Sequence, residues 1–217
     1  MVKFRGKLDG VERLHFWIAV IIVLSLVFAV VISIIQRDYW VLFISIVALI
    51  LTLSPTIFEW RYKIDIPEEL EIATIVLIYA TLFLGEAYGF YARFWWWDLV
   101  LHAGSGIALG FIGFIIMFVL YKRNKIEASP FILSVFTFSF ALAIGALWEI
   151  FEFNMDFFLG FNMQKSGLID TMIDLIVDAG GALIASIIGF LYIKGRKTHV
   201  IDRMIDRFVK KNPGLFG

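Results

Sequence analysis

No cysteine occurs in this 217-residue chain. Disulfides and thiolate metal ligands are therefore excluded, and any metal would have to be held by oxygen and imidazole nitrogen. Charge is scarce as well: 18% of residues are Asp, Glu, Lys or Arg, against 61% hydrophobic and 17% aromatic. Soluble domains carry more charge and less phenylalanine. The period-2 alternation of a membrane β-barrel is missing. No glycine-rich loop follows a strand pattern, so a nucleotide site is unsupported. Lys and Arg balance Asp and Glu at 19 each. The one basic tail is short and adjoins a membrane segment, so nucleic acid is not an expected partner.

What is present is a series of uncharged runs long enough to cross a bilayer. Six are expected, at about 16–35, 39–58, 70–84, 97–121, 131–158 and 168–193. The fold class is an all-α polytopic membrane protein with six transmembrane helices. The first run is too long for a signal-peptide core and lacks a small-x-small cleavage site, so it reads as a retained span. Ser54-Pro55 should kink or stop the second helix, and Pro67-Glu68-Glu69 should start the third. Residues 1–58 form a two-helix hairpin, 70–193 a four-helix core that bears the site, and 194–217 a basic tail, together one membrane domain.

Cationic residues orient the chain. Of the 19 Lys and Arg residues, only Arg37, Arg93 and Lys165 fall in the alternate loops. Lys3, Arg5, Lys7, Arg13, Arg61, Lys63, Lys122, Arg123, Lys125 and the tail cations fall on the other side. Both termini are thus expected in the cytoplasm, and the protein in a prokaryotic plasma (inner) membrane. In the tail, Val200, Ile201, Met204, Ile205, Phe208 and Val209 share one face, with Arg203, Arg207 and Lys210 off it. This predicts an amphipathic helix lying on an anionic lipid surface.

Three polar clusters interrupt the apolar runs. Asp170, Asp174 and Asp178 recur every four residues, so they share one helical face. Asp98 and His102 stand at i, i+4, with Ser105 beyond. Glu149 and Glu152 stand at i, i+3. A single Asp at mid-membrane costs about 2.5–3.5 kcal/mol on insertion scales, so such a set requires partners. At 1.5 Å per residue, Glu149 lies roughly 27 Å along a helix entering from the cytoplasm, and Asp178 about 12–15 Å below the outer surface. Glu86 and Arg93 lie in or beside the connection leading to Asp98. All of these groups therefore fall in the outer half of the membrane.

Each polar face continues inward as small residues: Gly106, Gly110 and Gly113; Gly145 and Ala141; Gly181, Ala185 and Gly189. Small faces allow membrane helices to approach closely. The last three spans are expected to pack tightly toward the cytoplasm and to splay around an acidic pocket toward the outside. The same small faces would also suit a homo-oligomer seam.

Three stretches carry a family resemblance: Trp97-Asp98-Leu-Val-Leu-His102-Ala-Gly-Ser105-Gly106, Trp148-Glu149-Ile-Phe-Glu152-Phe, and Asp170-Thr171-Met-Ile-Asp174-Leu-Ile-Val-Asp178-Ala-Gly180. Over roughly 85–193 the chain resembles the YjdF-like family of small prokaryotic membrane proteins of unassigned function. It is loosely similar to VanZ-like proteins in the order of its acids. The resemblance supports the choice of residues and implies no reaction.

Carboxylates with histidine at helical spacing are how helical bundles hold divalent ions. The expected ligands are His102, Glu149, Asp174 and Asp178, for Zn, Mn, Fe or Mg, with Glu152 or Asp98 as general base and Glu86, Arg93, Ser105 and Asp170 lining the pocket. Three functions follow. One is a metal-dependent hydrolase acting on a lipid or envelope substrate. Another is a cation or proton transporter, since ladders of acids line such paths. The third is a scaffold whose acids share protons.

Overall fold

Aspartates decide where the first two helices begin. Asp9 accepts the N–H groups of Val11 and Glu12, each at 2.8 Å, and Glu12 returns a bond from its carboxylate to the Asp9 N–H at 3.0 Å. This reciprocal cap starts α1 (Gly10–Gln36), six residues before the apolar run suggests. Arg37 ends it in the left-handed region, and Asp38 at once caps α2 (Tyr39–Thr52) by accepting the Val41 N–H. The structure, a computed structural model, describes residues 9–196 and 199–216, with no strand among them. Lys3, Arg5, Lys7, Lys197 and the Val200 side chain lie outside the described residues.

Pro55 acts as expected. The second span breaks at Leu53 and resumes as α3 (Ser54–Tyr62), where Pro55 sits in the first turn and its missing N–H costs nothing. The third span begins as α4 (Glu68–Ile78) and continues as a π-helical stretch, Tyr79–Ala87, that periodicity did not announce. A one-turn helix, α5 (Phe90–Arg93), precedes three long helices: α6 (Trp97–Lys122), α7 (Pro130–Leu159) and α8 (Leu168–Ile193). Helix α9 (His199–Lys211) and the short α10 (Pro213–Phe216) follow. Among the described residues, six helical stretches are long and apolar enough to cross a membrane. Ile21, Leu24, Phe28 and Ile35 on α1 are more than half exposed, as lipid-facing residues are.

The chain forms two compact units. The first comprises residues 1–97 with 204–212. Its core joins Ile22, Leu26 and Ala29 of α1 to Ala48, Ile75 and Phe83. The third span thus belongs with the first two, not with a four-helix core as the sequence division had it. The reason is packing: Ile75 and Phe83 are buried in the hairpin's own cluster. In lipid, such contacts hold by van der Waals fit and by hydrogen bonds, here Ser25 Oγ to the Tyr79 hydroxyl at 3.2 Å.

The tail corrects a second expectation. Met204, Ile205 and Phe208 are buried in the protein instead of lying on lipid. Within the first unit, Arg207 pairs with Asp9 at 3.2 Å and with Glu69. Lys211 pairs with Glu12 at 3.1 Å, with Asp65 at 3.6 Å and with Glu68. Asn212 brackets the Asp65 backbone, accepting its N–H at 2.7 Å and donating to its carbonyl at 2.8 Å. An amphipathic pattern alone does not tell a lipid surface from a protein one. Here acids near the start of α1 and α4 supply the counter-charges. These contacts join α9 to the start of α1 within the first unit.

The second unit comprises residues 98–203 with 213–217. Its helices meet through their small faces. A Cβ added at Gly106 would strike the Asp178 carbonyl, and one at Gly181 the Ala103 carbonyl. Gly110 lies against Ala185 and Gly189 against the Phe114 ring. Ser186 Oγ bridges α8 to α7 by donating to the Ser134 carbonyl at 2.7 Å. The expected tight packing on the far side of the acids is therefore present.

Candidate functional site: a carboxylate and histidine cluster

Each helix of the second unit brings its acids to the same end. Asp98 and His102 occupy the first two turns of α6. Glu149 and Glu152 occupy the last three turns of α7, and Asp170, Asp174 and Asp178 the first three turns of α8. His102 is the hub. Its Nε2 lies 3.7 Å from Asp98 Oδ1, 3.9 Å from Glu149 Oε1 and 4.0 Å from Asp174 Oδ2. Its Nδ1 lies 3.3 Å from Asp178 Oδ2, within hydrogen-bond reach.

Burial grades the cluster. His102, Glu149, Asp174 and Asp178 are buried, while Asp98, Glu152 and Asp170 are half-buried. Glu149 is 4% exposed, yet neither of its oxygens has a hydrogen-bond partner. Thr171 is its neighbour on α8, and the Thr171 oxygen accepts from Gln164 Nε2 at 2.6 Å. A buried polar atom without a partner costs about 1–3 kcal/mol, more if charged. Six carboxylates in this cluster are matched by one imidazole and one ammonium, that of Lys165.

Two overlapping triads have the spacing of a metal site. One is His102, Glu149 and Asp174; the other is Asp98, Asp170 and Asp174. In each, one ligand atom per residue lies within 4.8 Å of the others. A first-row divalent ion with bonds of about 2.0–2.2 Å holds its ligands roughly 3–3.5 Å apart. The two edges that meet at His102, 3.9 and 4.0 Å, thus need a closure of about 0.5–1 Å around an ion. One nitrogen with carboxylate oxygens suits Zn, Mn or Fe better than Mg, which prefers oxygen alone.

The expected residues fall into three groups. His102, Glu149 and Asp174 converge as expected. Asp178 sits at Nδ1, the ring nitrogen remote from Glu149 and Asp174, where it orients the imidazole and is not placed to share an ion with them. Glu152 stands one turn farther toward the helix end than Glu149. Ser105 does not join: its hydroxyl donates to the His102 carbonyl at 2.9 Å. Glu86, on the π-helical stretch, and the exposed Arg93 belong to the first unit. Asp98 and Asp170 do not cap their helices, lying one and two residues inside the first helical position.

Sequence reasoning missed Lys165, whose Nζ lies 2.5 Å from Asp98 Oδ2. It also missed the loop that carries it. Asp156 accepts the N–H groups of Met163 at 2.6 Å and Gln164 at 2.8 Å. Gly160 closes α7 in the left-handed region at φ 70°. The available signal was that Lys165 is the lone cation between Glu152 and Asp170.

Residues 16–195 match a family model described as a predicted membrane protein family, DUF2238. An uncharacterized protein of Thermotoga maritima is 32% identical over 136 residues, which is 59% of this chain. The matched part spans 65% of that relative's length. No solved structure matches the chain. The matched region contains all three acid-bearing helices, so the chain belongs to the DUF2238 family of predicted membrane proteins.

Proposed function

We propose that this membrane protein is a metal-dependent enzyme, hydrolytic in type, acting on a lipid or envelope substrate at the membrane's outer side. One observation carries the reading: Glu149 is 4% exposed with both oxygens unpartnered, directed at His102 Nε2 in a triad completed by Asp174. A divalent ion of the Zn, Mn or Fe type would satisfy those atoms. It would supply Lewis acidity toward water and a carbonyl or phosphoryl oxygen.

The chain's own residues have separable roles in this reading. His102, Glu149 and Asp174 bind. Asp178 holds the His102 ring by accepting at Nδ1, which presents Nε2 unprotonated to the ion. Glu152, half-buried beside Glu149, is the proton acceptor. Asp98 is the weaker candidate for that task, since Lys165 already engages it. The outer-side assignment rests on the Lys and Arg asymmetry of the loops.

Packing favours this over transport. Beyond Asp178, the contacts of Gly106, Gly110, Gly181 and Gly189 close the second unit with small residues and the Phe114 ring, and the buried hydroxyls described there, Ser134, Thr137 and Ser186, are spent on backbone carbonyls. Elemental analysis of the purified protein beside Glu149→Gln is the test. Wild type should retain a stoichiometric transition metal and the variant should not. Equal metal content in the two would overturn the reading, and cation flux in liposomes abolished by Asp178→Asn would replace it with transport.

A further inference from the structure

The two triads share Asp174, an arrangement that in other carboxylate sites holds two ions about 3.5–4 Å apart. Their surroundings differ. The first triad contains the orphaned Glu149 carboxylate. The second, Asp98, Asp170 and Asp174, already has a cation against it, because Lys165 Nζ lies 2.5 Å from Asp98 Oδ2.

The loop is built to keep that ammonium there. Gln164, directly before Lys165, is held through its backbone N–H by Asp156 at 2.8 Å and through its side chain by Thr171 at 2.6 Å. Two residues after Lys165, Gly167 takes a φ of 67° and donates its N–H to the Gln164 carbonyl. Lys165 thus sits inside a closed turn, anchored to α7 by Asp156 and to α8 by Thr171.

We propose that Lys165 is a tethered cation that fills the second triad and limits the site to one divalent ion. This rests on the metal reading above. A metal bound by Asp98 would lie within a few ångströms of the ammonium, and two cations competing for one carboxylate at that distance repel, even though Lys165 is itself exposed. Lys165 is therefore a specificity-determining residue for metal number. The tethered ammonium neutralises Asp98 without a second ion being recruited.

The test is manganese stoichiometry with electron paramagnetic resonance on the full chain in lipid nanodiscs, loaded with Mn(II) and desalted. Wild type should hold one ion per chain with an uncoupled signal. Lys165→Met should hold two, with the exchange-coupled spectrum of neighbouring ions, and Lys165→Arg should stay at one. Lys165→Met combined with Asp98→Asn should return to one, which locates the second ion. Two coupled ions in wild type would overturn the proposal without any variant. One ion in Lys165→Met, or a second ion without coupling, would overturn it and leave the metal reading intact. No bound ion in wild type would remove both. If Lys165→Met folds poorly, Lys165→Ser carries the same comparison.

Discussion

The two units each gather acids near helix ends and neutralise them differently. In the first, Glu68 meets Lys211 and Glu71 meets His15 at 3.2 Å, while Glu69 and Asp9 share Arg207. The cations come from distant parts of the chain, and the pairing ties segments together. In the second unit one imidazole stands among four carboxylates at 3.3–4.0 Å, and Glu149 has no bonded partner at all. Acids outnumber cations in the first arrangement too, but each of these acids keeps at least one oxygen on a cationic side chain or imidazole from another segment, so the cluster reads as structural. The second leaves both Glu149 oxygens unbonded, the difference on which the proposed metal site rests.

The largest effect should come from breaking the paired cluster. Lys211→Met leaves Glu68, 5% exposed, without its cation, and should destabilise the folded protein by about 3–5 kcal/mol. Thermal unfolding in detergent measures this, and metal content should be unchanged. An equal loss of metal would mean that the two clusters are coupled.

Gly145→Ala should come next. Its Cβ would collide with Asp178 Oδ2, an overpacking costing about 1–3 kcal/mol. Unlike Lys211→Met, it should weaken metal binding as well, because the displaced carboxylate is the one that orients His102. Asp178→Asn separates those two consequences. It should lower metal affinity by about 10-fold to 100-fold with one ion still bound and with little change in melting temperature. Titration with a competing chelator reads it.

The smallest effect is a pH dependence confined to the first unit. The Glu12 N–H, with Arg207, holds Asp9 below its ordinary value. Its contribution is complete above the unfolded value of about 3.9 and is lost as pH falls through the lowered folded value. Burial pulls Lys211 down, but hydrogen bonds to Glu68 and Glu12 outweigh it and raise the amine above its usual range. That contribution is complete below about 10.4 and is lost only as pH rises through the raised folded value. Amide protection across 204–212, taken relative to the intrinsic exchange rate at each pH, should therefore be greatest between these limits and smaller below about pH 4.

The six spans were legible because each is a local property. Length, apolar content and Pro55 act within one segment, whatever that segment packs against. The candidate site was legible for a related reason. Asp98 with His102, Glu149 with Glu152, and the Asp170 series each share a helical face, and hydropathy sets how deep each lies. Depth and face together were enough to expect a meeting of three helices at one end. The two-unit division was not legible, since nothing in residues 68–87 states which neighbour their apolar face will choose. Nor was the tail's partner, because Met204, Ile205 and Phe208 would suit lipid or protein equally.

Composition and periodicity by themselves determined that this is a helical membrane protein with an acid-rich end to its last three spans. Only the tertiary structure decided that Asp178 serves His102 from the Nδ1 side, that Glu149 is left without a partner, and that Lys165 reaches Asp98. These depend on where atoms from separate helices and a loop come to rest within 4 Å of one another. No periodicity within a single helix encodes that distance, because it is set jointly by the close approach of glycine faces and by a turn that Asp156 and Gly167 hold in shape.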